Sequence, residues 1–281
     1  MQRQLLPGTA IELVHPFPHR RPRAAVFDFD GTLSLIRGGW TDLMVGMMYE
    51  SLGPLARADE SPEQLQARIR AYVLSLNGAP TILQMERFAK EIRDRGGHAE
   101  PAPVYHQEYL RRLGVKITER KTALMERRCV EDDLTVPGTR TLLQLLVDRG
   151  VELTLASGTE IEFVREEAAL LKIADFFEGR IFAPGSQPHA FAKKRVMEEL
   201  LLRHGDRGTG VIGVGDVQVE TRAMSDLGGL PIGVACDEQH RSGVTDEAKR
   251  PQLIEAGAAV IVPDYRHAAE FVEHLWGRPE A

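Results

Sequence analysis

Short, continuously apolar segments that end in turn residues constrain the fold of this chain most strongly. Strands with one solvated face alternate apolar and polar residues, whereas continuous apolar segments are typical of strands buried on both faces, as in a parallel sheet. The segments span residues 24–30, 151–157, 179–183, 209–216, 230–236 and 258–264. Helix-like stretches alternate with the apolar segments that come after the first one, at 138–150, 160–173, 192–204 and 220–228. This alternation predicts an α/β fold in which helices flank a parallel sheet.

The stretch from about residue 36 to residue 135 has a different pattern. It contains no convincing buried strand and instead carries four amphipathic, helix-like segments, at 41–53, 61–76, 81–97 and 103–114. Ser61 followed by Pro62 is typical of a helix start. The sequence therefore predicts two domains, an α/β core made of residues 1–35 and 136–281 and a helical insert made of residues 36–135.

The composition excludes several classes of function. The chain has 281 residues, a net charge of −6 and 6% aromatic residues, which argues against both a basic nucleic-acid footprint and a stacking platform for bases. Its two cysteines form no CxxC pair, which fits a reducing compartment. No apolar run approaches the ~20 residues that span a bilayer, and the N-terminal residues lack an apolar region of signal-peptide length. We therefore expect a cytoplasmic protein without nucleic-acid or membrane partners.

The segment VFDFDGTL, residues 26–33, is the most informative motif in the chain. Residues two apart in a strand share a face, so Asp28 and Asp30 point the same way. Two carboxylates at the end of a buried strand repel each other unless a cation neutralises them. Gly31 permits a sharp turn, and Thr32 offers a hydroxyl and an N–H to an anion. The alternative is an ordinary Asp-Gly turn with a second acidic residue nearby.

A second acidic motif, VIGVGDVQVE, covers residues 211–220. Asp216 follows an apolar strand, and the carboxyl ends of strands line the crevice where open α/β sheets bind ligands. Together with Asp28 and Asp30 it would form an oxygen-rich site suited to Mg²⁺. Glu220 would lie one helical turn further on, as an additional or outer ligand. The alternative role for Asp216 is that of a helix N-cap.

Two further elements offer groups that bind anions. Ser157 ends the segment VELTLAS and Gly158 follows it, just before a helix, where a hydroxyl and free N–H groups form an anion cradle. A plain N-cap serine is the alternative. Lys193 and Lys194 open the next predicted helix, although the helix dipole disfavours cations at that end. A lysine there suggests pairing with anions, and a solvated surface pair is the alternative.

With DFDGT, Ser157, a lysine and GDVQVE in this order, residues 24–220 resemble the haloacid dehalogenase-like hydrolase superfamily. The resemblance implies a Rossmann-like core with strand order 5-4-1-2-3. It also implies that the helical insert is a cap of the C1 type, placed between the first two motifs. The segment before residue 24 lies outside the resemblance, and residues 11–14 are a candidate for an extra edge strand.

By motif, the resemblance makes Asp28 the nucleophile and a metal ligand. Asp30 becomes the general acid/base, with its backbone carbonyl on the metal, and Asp216 becomes a further Mg²⁺ ligand. Glu220 stands where the commoner residue of this motif is Asp. Within this superfamily an acid at position 30 favours phosphate-ester hydrolysis over dehalogenation, and the resemblance implies a reaction that passes through an aspartyl-phosphate.

The resemblance also assigns the residues that bind the phosphoryl group. Thr32 and Ser157, with Gly158, hold that group, and Lys193, chosen over Lys194, neutralises its charge. Arg37 is a candidate contact to the substrate, or an ordinary salt-bridge donor.

The expected activity is that of a Mg²⁺-dependent phosphatase acting on a small phosphorylated metabolite such as a sugar or polyol phosphate. A sugar-phosphate mutase shares all four motifs and remains an alternative. A non-catalytic regulatory or scaffold protein is an alternative of another class, although no catalytic position is lost.

Overall fold

The computed structural model describes residues 3–17, 21–76, 81–185, 193–204 and 210–277. The chain forms two compact units, one made of residues 1–38 and 121–281 and the other of residues 39–120. The second of these, residues 39–120, is the helical unit, and it is shorter than the predicted insert, residues 36–135. Most of the difference consists of residues 121–135, which group with the larger unit.

Seven strands in the described part of the larger unit form one sheet. They are β1 (Glu12–Leu13), β2 (Ala24–Phe27), β3 (Glu152–Ala156), β4 (Ile181–Phe182), β5 (Val211–Gly215), β6 (Leu230–Val234) and β7 (Val260–Val262). Their order is β1-β7-β6-β5-β2-β3-β4, with β1 antiparallel and all other pairs parallel. The predicted α/β fold is confirmed. The order contains the expected 5-4-1-2-3 arrangement, and β1 is an extra edge strand.

In the part of the larger unit that the structure describes, six α-helices follow the strands. They are α5 (Thr139–Val147), α6 (Ile161–Leu170), α7 (Lys193–His204), α8 (Gln218–Asp226), α9 (Lys249–Glu255) and α10 (Ala268–Trp276). The predicted start of α7 at residue 192 lies outside the described residues. None of the helices in the described part of the chain combines the length and the apolar character needed to span a bilayer.

The helical unit contains α1 (Trp40–Leu52), α2 (Pro62–Ser75), α3 (Thr81–Asp94) and residues 102–120 of α4 (Ala102–Met125). Ser61 caps α2, since its hydroxyl accepts the N–H of Gln64 and the Gln64 side chain accepts the N–H of Ser61. The core of the unit is formed by buried side chains from all four helices, including Met44, Met48, Leu52, Leu65, Ile69, Val73, Met85, Phe88, Ile92, Tyr109 and Leu113.

Helix α4 runs beyond the predicted segment 103–114. The predicted segment ends at Gly114, but the helix continues to Met125. A glycine inside a helix costs about 1 kcal/mol relative to alanine. That is too little to end a helix when the following residues, KITERKTALM, include several strong helix formers.

The parallel register brings the predicted motifs to one edge of the sheet. Phe27 of β2 pairs with Leu155 of β3 on one side and with Val214 of β5 on the other. Residues that follow these strands therefore meet at adjacent carboxyl ends, which is where open α/β sheets bind their ligands.

Candidate active site

The loop after β2 turns sharply and passes directly over the end of β5. Asp28 donates its N–H to the Val214 carbonyl (2.9 Å). Gly31 has φ of +72°, and a Cβ at this position would lie 2.3 Å from Oδ2 of Asp216. Only glycine combines that conformation with so close an approach. The two predicted acidic motifs thus lie in contact.

Lys193 links Asp28 to Glu220. Its Nζ lies 2.6 Å from Oδ1 of Asp28 and also donates to Oε1 of Glu220. Burial raises the pKa of Asp28, and the charge of Lys193 only partly opposes this effect. Burial alone would lower the pKa of Lys193, but the two carboxylates raise it, so the lysine is held as a cation. Lys194 is exposed, 4.0 Å from Glu198.

Asp30 lies beside Arg37 and Thr159. Its Oδ2 accepts the Thr159 hydroxyl (2.8 Å), and its Oδ1 lies 3.5 Å from Nε of Arg37. Burial raises the pKa of Asp30 to about 7, against the opposing charge of Arg37. A carboxyl group with a pKa near neutrality can both donate and accept a proton, as a general acid/base must.

Arg37 forms salt bridges with two carboxylates of the larger unit. Its guanidinium donates to Oε1 of the buried Glu167 (2.8 Å) as well as approaching Asp30. Burial raises the pKa of Glu167, and Arg37 opposes this effect. The geometry matches the salt-bridge interpretation of Arg37, while a contact with substrate stays a prediction.

Asp216 is bound by a residue that the sequence analysis did not single out. Nζ of Lys249, the first residue of α9, lies 2.8 Å from Oδ2 of Asp216 and 2.6 Å from Oε1 of Glu238. Burial raises the pKa of Asp216 to about 6, and Lys249 opposes this effect. Asp216 is not an N-cap, since Val217 occupies that position of α8.

The predicted phosphate-binding residues lie beside this cluster of charges. Thr32 is fully buried, and its hydroxyl has no hydrogen-bond partner among the described residues. Its N–H donates to the Phe29 carbonyl (3.3 Å). Ser157 is buried and accepts the Thr159 N–H (3.0 Å). It is not the N-cap of α6, which is Glu160. Apart from the chain neighbours of Gly158, no described residue lies within 4 Å of the position that a Cβ on this glycine would occupy.

Lys249 and Glu238 were missed, yet a signal for Lys249 exists. It is a lysine in the first turn of a helix, the same anomaly that drew attention to Lys193. Glu238 lies in an irregular loop after β6, where neither periodicity nor a motif marks it.

The donor set fits a hard cation. Among the described residues, no three His, Cys, Asp or Glu side chains stand together in a preformed metal site. The contacts above nonetheless join more carboxylates (Asp28, Asp30, Glu167, Asp216, Glu220 and Glu238) than cations (Arg37, Lys193 and Lys249). A buried excess of carboxylate oxygens favours Mg²⁺ over softer metals.

The fold and these motifs define a class of protein, and comparison with known proteins names it. The family model for haloacid dehalogenase-like hydrolases matches residues 22–228. The chain therefore belongs to the haloacid dehalogenase-like hydrolase family, and its predicted assignment to the enzymes is confirmed at the level of a hydrolase. No curated protein matches the sequence.

Solved structures share the fold at low sequence identity. A HAD family hydrolase from Deinococcus radiodurans, with bound phosphate and sodium, has a TM-score of 0.57 at 12% identity, covering 91% of this chain and 97% of that one. A protein described as a predicted phosphoglycolate phosphatase from Haemophilus somnus has a TM-score of 0.55 at 15% identity, covering 89% and 98%. The β-phosphoglucomutase of Clostridium difficile has a TM-score of 0.51 at 13% identity, covering 91% and 97%.

Proposed function

We propose that this hydrolase is a Mg²⁺-dependent phosphatase that cleaves small phosphomonoesters, such as sugar or polyol phosphates, through an aspartyl-phosphate on Asp28. One observation carries the proposal. Asp28 and Asp216 follow neighbouring strands and lie on either side of a glycine turn, with Nζ of Lys193 2.6 Å from Oδ1 of Asp28. That arrangement supports the proposal, because it brings the proposed nucleophile, a fixed cation and a second acid to one sheet edge.

In this proposal Asp28 attacks phosphorus and forms an acyl phosphate, while the P–O bond to the leaving group breaks. Its side chain is only 8% exposed, and burial raises its pKa, so an ionised Asp28 carboxylate is weakly solvated. Lys193 holds Oδ1 of Asp28, which fixes the carboxylate, and its charge meets the phosphoryl oxygens.

Asp30 moves the protons. It protonates the leaving oxygen in the first step and takes a proton from the attacking water in the second. The Thr159 hydroxyl holds its Oδ2, which orients the carboxyl group. Thr32 and Ser157, with Gly158, bind the phosphoryl oxygens, and the unpaired Thr32 hydroxyl is a ready donor.

Asp28, Asp216 and the backbone carbonyl of Asp30 would hold Mg²⁺, with Glu220 in an outer position. When bound, the ion supplies positive charge to the phosphoryl oxygens. The role of the helical unit as a C1-type cap and the cytoplasmic location also belong to the proposal.

The test is a phosphate-release screen across phosphomonoesters, for wild type and Asp28→Asn, with Mg²⁺ and with EDTA. We expect release by wild type with Mg²⁺ only, and none by the variant. Equal release by Asp28→Asn would remove Asp28 from the mechanism. Conversion of β-glucose 1-phosphate to glucose 6-phosphate without free phosphate would establish the mutase alternative. No turnover on any substrate would favour the non-catalytic alternative.

A further inference from the structure

Lys249 and Glu238 lie beyond residue 228, where the family match ends, yet they reach the proposed metal site. Nζ of Lys249 lies 2.8 Å from Oδ2 of Asp216 and 2.6 Å from Oε1 of Glu238. We propose that Lys249, balanced by Glu238, is a built-in counter-ion that holds Asp216 in the metal-free protein and thereby weakens Mg²⁺ binding. This inference rests on the proposed function, in which Asp216 is a Mg²⁺ ligand.

The backbone of Lys249 is fixed by its surroundings. The Asp246 carboxylate accepts the N–H groups of Ala248 (2.7 Å) and Lys249 (3.1 Å). The next residue, Arg250, makes a two-pronged pair with the buried Glu12 of β1, with both distances 2.6 Å. These contacts hold the start of α9 against β1, so the Lys249 backbone is positioned where its ammonium group reaches Asp216.

The Glu238 side chain lies close to the loop that follows β2. A Cβ on Gly31 would lie 3.2 Å from Oε1 of Glu238, and a Cβ on Gly38 would lie 3.2 Å from its Oε2. The carboxylate therefore lies against the turn that carries Asp28 and Asp30. Its charge offsets that of Lys249, so the pair alone leaves the net charge near Asp216 unchanged.

The direction of the effect follows from charge. The ammonium of Lys249 occupies an Asp216 oxygen and repels a divalent cation, and at this burial both effects are weakly screened. Removing Lys249 costs Asp216 one charge-assisted hydrogen bond, but it adds a full negative charge to the site. The electrostatic gain outweighs the lost bond, because the ion carries two charges. Neutralising Glu238 instead leaves the positive charge of Lys249 without its offsetting carboxylate, which disfavours Mg²⁺ binding.

Calorimetric titration of the full-length protein with Mg²⁺ tests this inference. The variants are Lys249→Met and the isosteric Glu238→Gln. Lys172→Met is the matched control, because it removes a lysine from an exposed surface pair with Glu131. We expect Lys249→Met to bind Mg²⁺ about tenfold or more tightly, Glu238→Gln to bind more weakly, and the control to match wild type.

Thermal unfolding in EDTA and in saturating Mg²⁺ gives a second readout, since a ligand of the native state raises Tm according to its affinity. Lys249→Met should show a lower Tm than wild type in EDTA and a larger rise with Mg²⁺. If Lys249→Met does not fold, the opposite shift expected of Glu238→Gln still decides the matter.

Equal Mg²⁺ affinities for wild type and Lys249→Met, or tighter binding by Glu238→Gln, would overturn the inference while leaving the proposed function intact. If wild type binds no Mg²⁺, the metal of the proposed function fails, and this inference fails with it.

Discussion

Carboxylates of the two units respond to their cationic neighbours in opposite ways. In the helical unit, Oε2 of Glu60 lies 2.7 Å from Nη1 of Arg95, and its Oε1 lies 3.0 Å from Nε of Arg68. Hydrogen bonds from Arg95 lower the pKa of Glu60 to about 2. In the larger unit, Asp28 lies 2.6 Å from Lys193, yet burial raises its pKa. Similar ion-pair distances therefore give a stabilised carboxylate in one unit and a destabilised one in the other.

The reason is the balance of charge and solvation. Glu60 accepts hydrogen bonds from two arginines, Arg68 and Arg95, so its ionisation is favourable. Asp28 shares its lysine with Glu220 and is buried beside Asp216. The first network holds helices together, and the second retains unfavourable carboxylate charge, as catalytic sites commonly do at the expense of stability.

The largest expected effect comes from removing a cation from the acid-rich site. Under the proposed function, Lys193→Met should lower phosphatase kcat/KM by about 10²–10³-fold, because Lys193 is the fixed charge that would meet the phosphoryl group. Steady-state kinetics of phosphate release measures this loss. Lys194→Met is the matched control and should retain activity, since that side chain is exposed. Equal losses in the two variants would contradict the placement of Lys193.

Gly31→Ala should force the two acidic motifs apart. The added Cβ would meet Asp216 and would require a left-handed alanine, so we expect at least about 2 kcal/mol of destabilisation and lost activity. Gly150→Ala is the control, because Gly150 has the same φ of +72° and no described residue, apart from its chain neighbours, lies within 4 Å of the added Cβ. It should lose only about 1 kcal/mol. Urea unfolding of both variants measures the difference, and similar losses would refute the contact.

Glu60→Gln tests how far the ion pairs of Glu60 stabilise the helical unit. We expect a loss of about 1–2 kcal/mol of unfolding free energy at neutral pH. The folded pKa, about 2, lies below the ordinary 4.5. The contribution of Glu60 is therefore complete above about pH 5 and is lost as pH falls toward 2.

Urea unfolding at several pH values checks this, and the variant should approach wild type in acid. Asp94→Asn, which breaks an exposed pair with Lys90, should change stability by less than about 0.5 kcal/mol. A pH-independent effect of Glu60→Gln would show that Glu60 does not stabilise the protein through its ionised form.

The smallest effect has the opposite sign. Asp28→Asn should raise the stability of the metal-free protein by about 1 kcal/mol, because it removes a buried charge that the site does not fully compensate. Because burial raises the folded pKa of Asp28, this gain should be present at neutral pH and vanish in acid. Unfolding in EDTA measures it, and destabilisation at neutral pH would show that Asp28 is as well paired as Glu60.

Much of the fold could be read from local pattern. The apolar segments and the helix-like stretches between them became the sheet and its helices, and Ser61 with Pro62 began α2 as expected. Helix ends were harder to place, since α4 passes through Gly114. Glycine lowers helix stability only modestly, so neighbouring residues and tertiary packing decide where a helix ends.

Local sequence patterns are enough to predict that Asp28 and Asp30 end one buried strand and that Asp216 ends another, because strand burial and turn chemistry are local properties. The partners of these acids were decided by the tertiary structure. Lys249 and Glu238 reach Asp216 only because β6 and α9 bring them to the same sheet edge, and Arg37 turns to Glu167 across 130 residues. Pairing between distant charges depends on three-dimensional distance and burial, which no local pattern encodes.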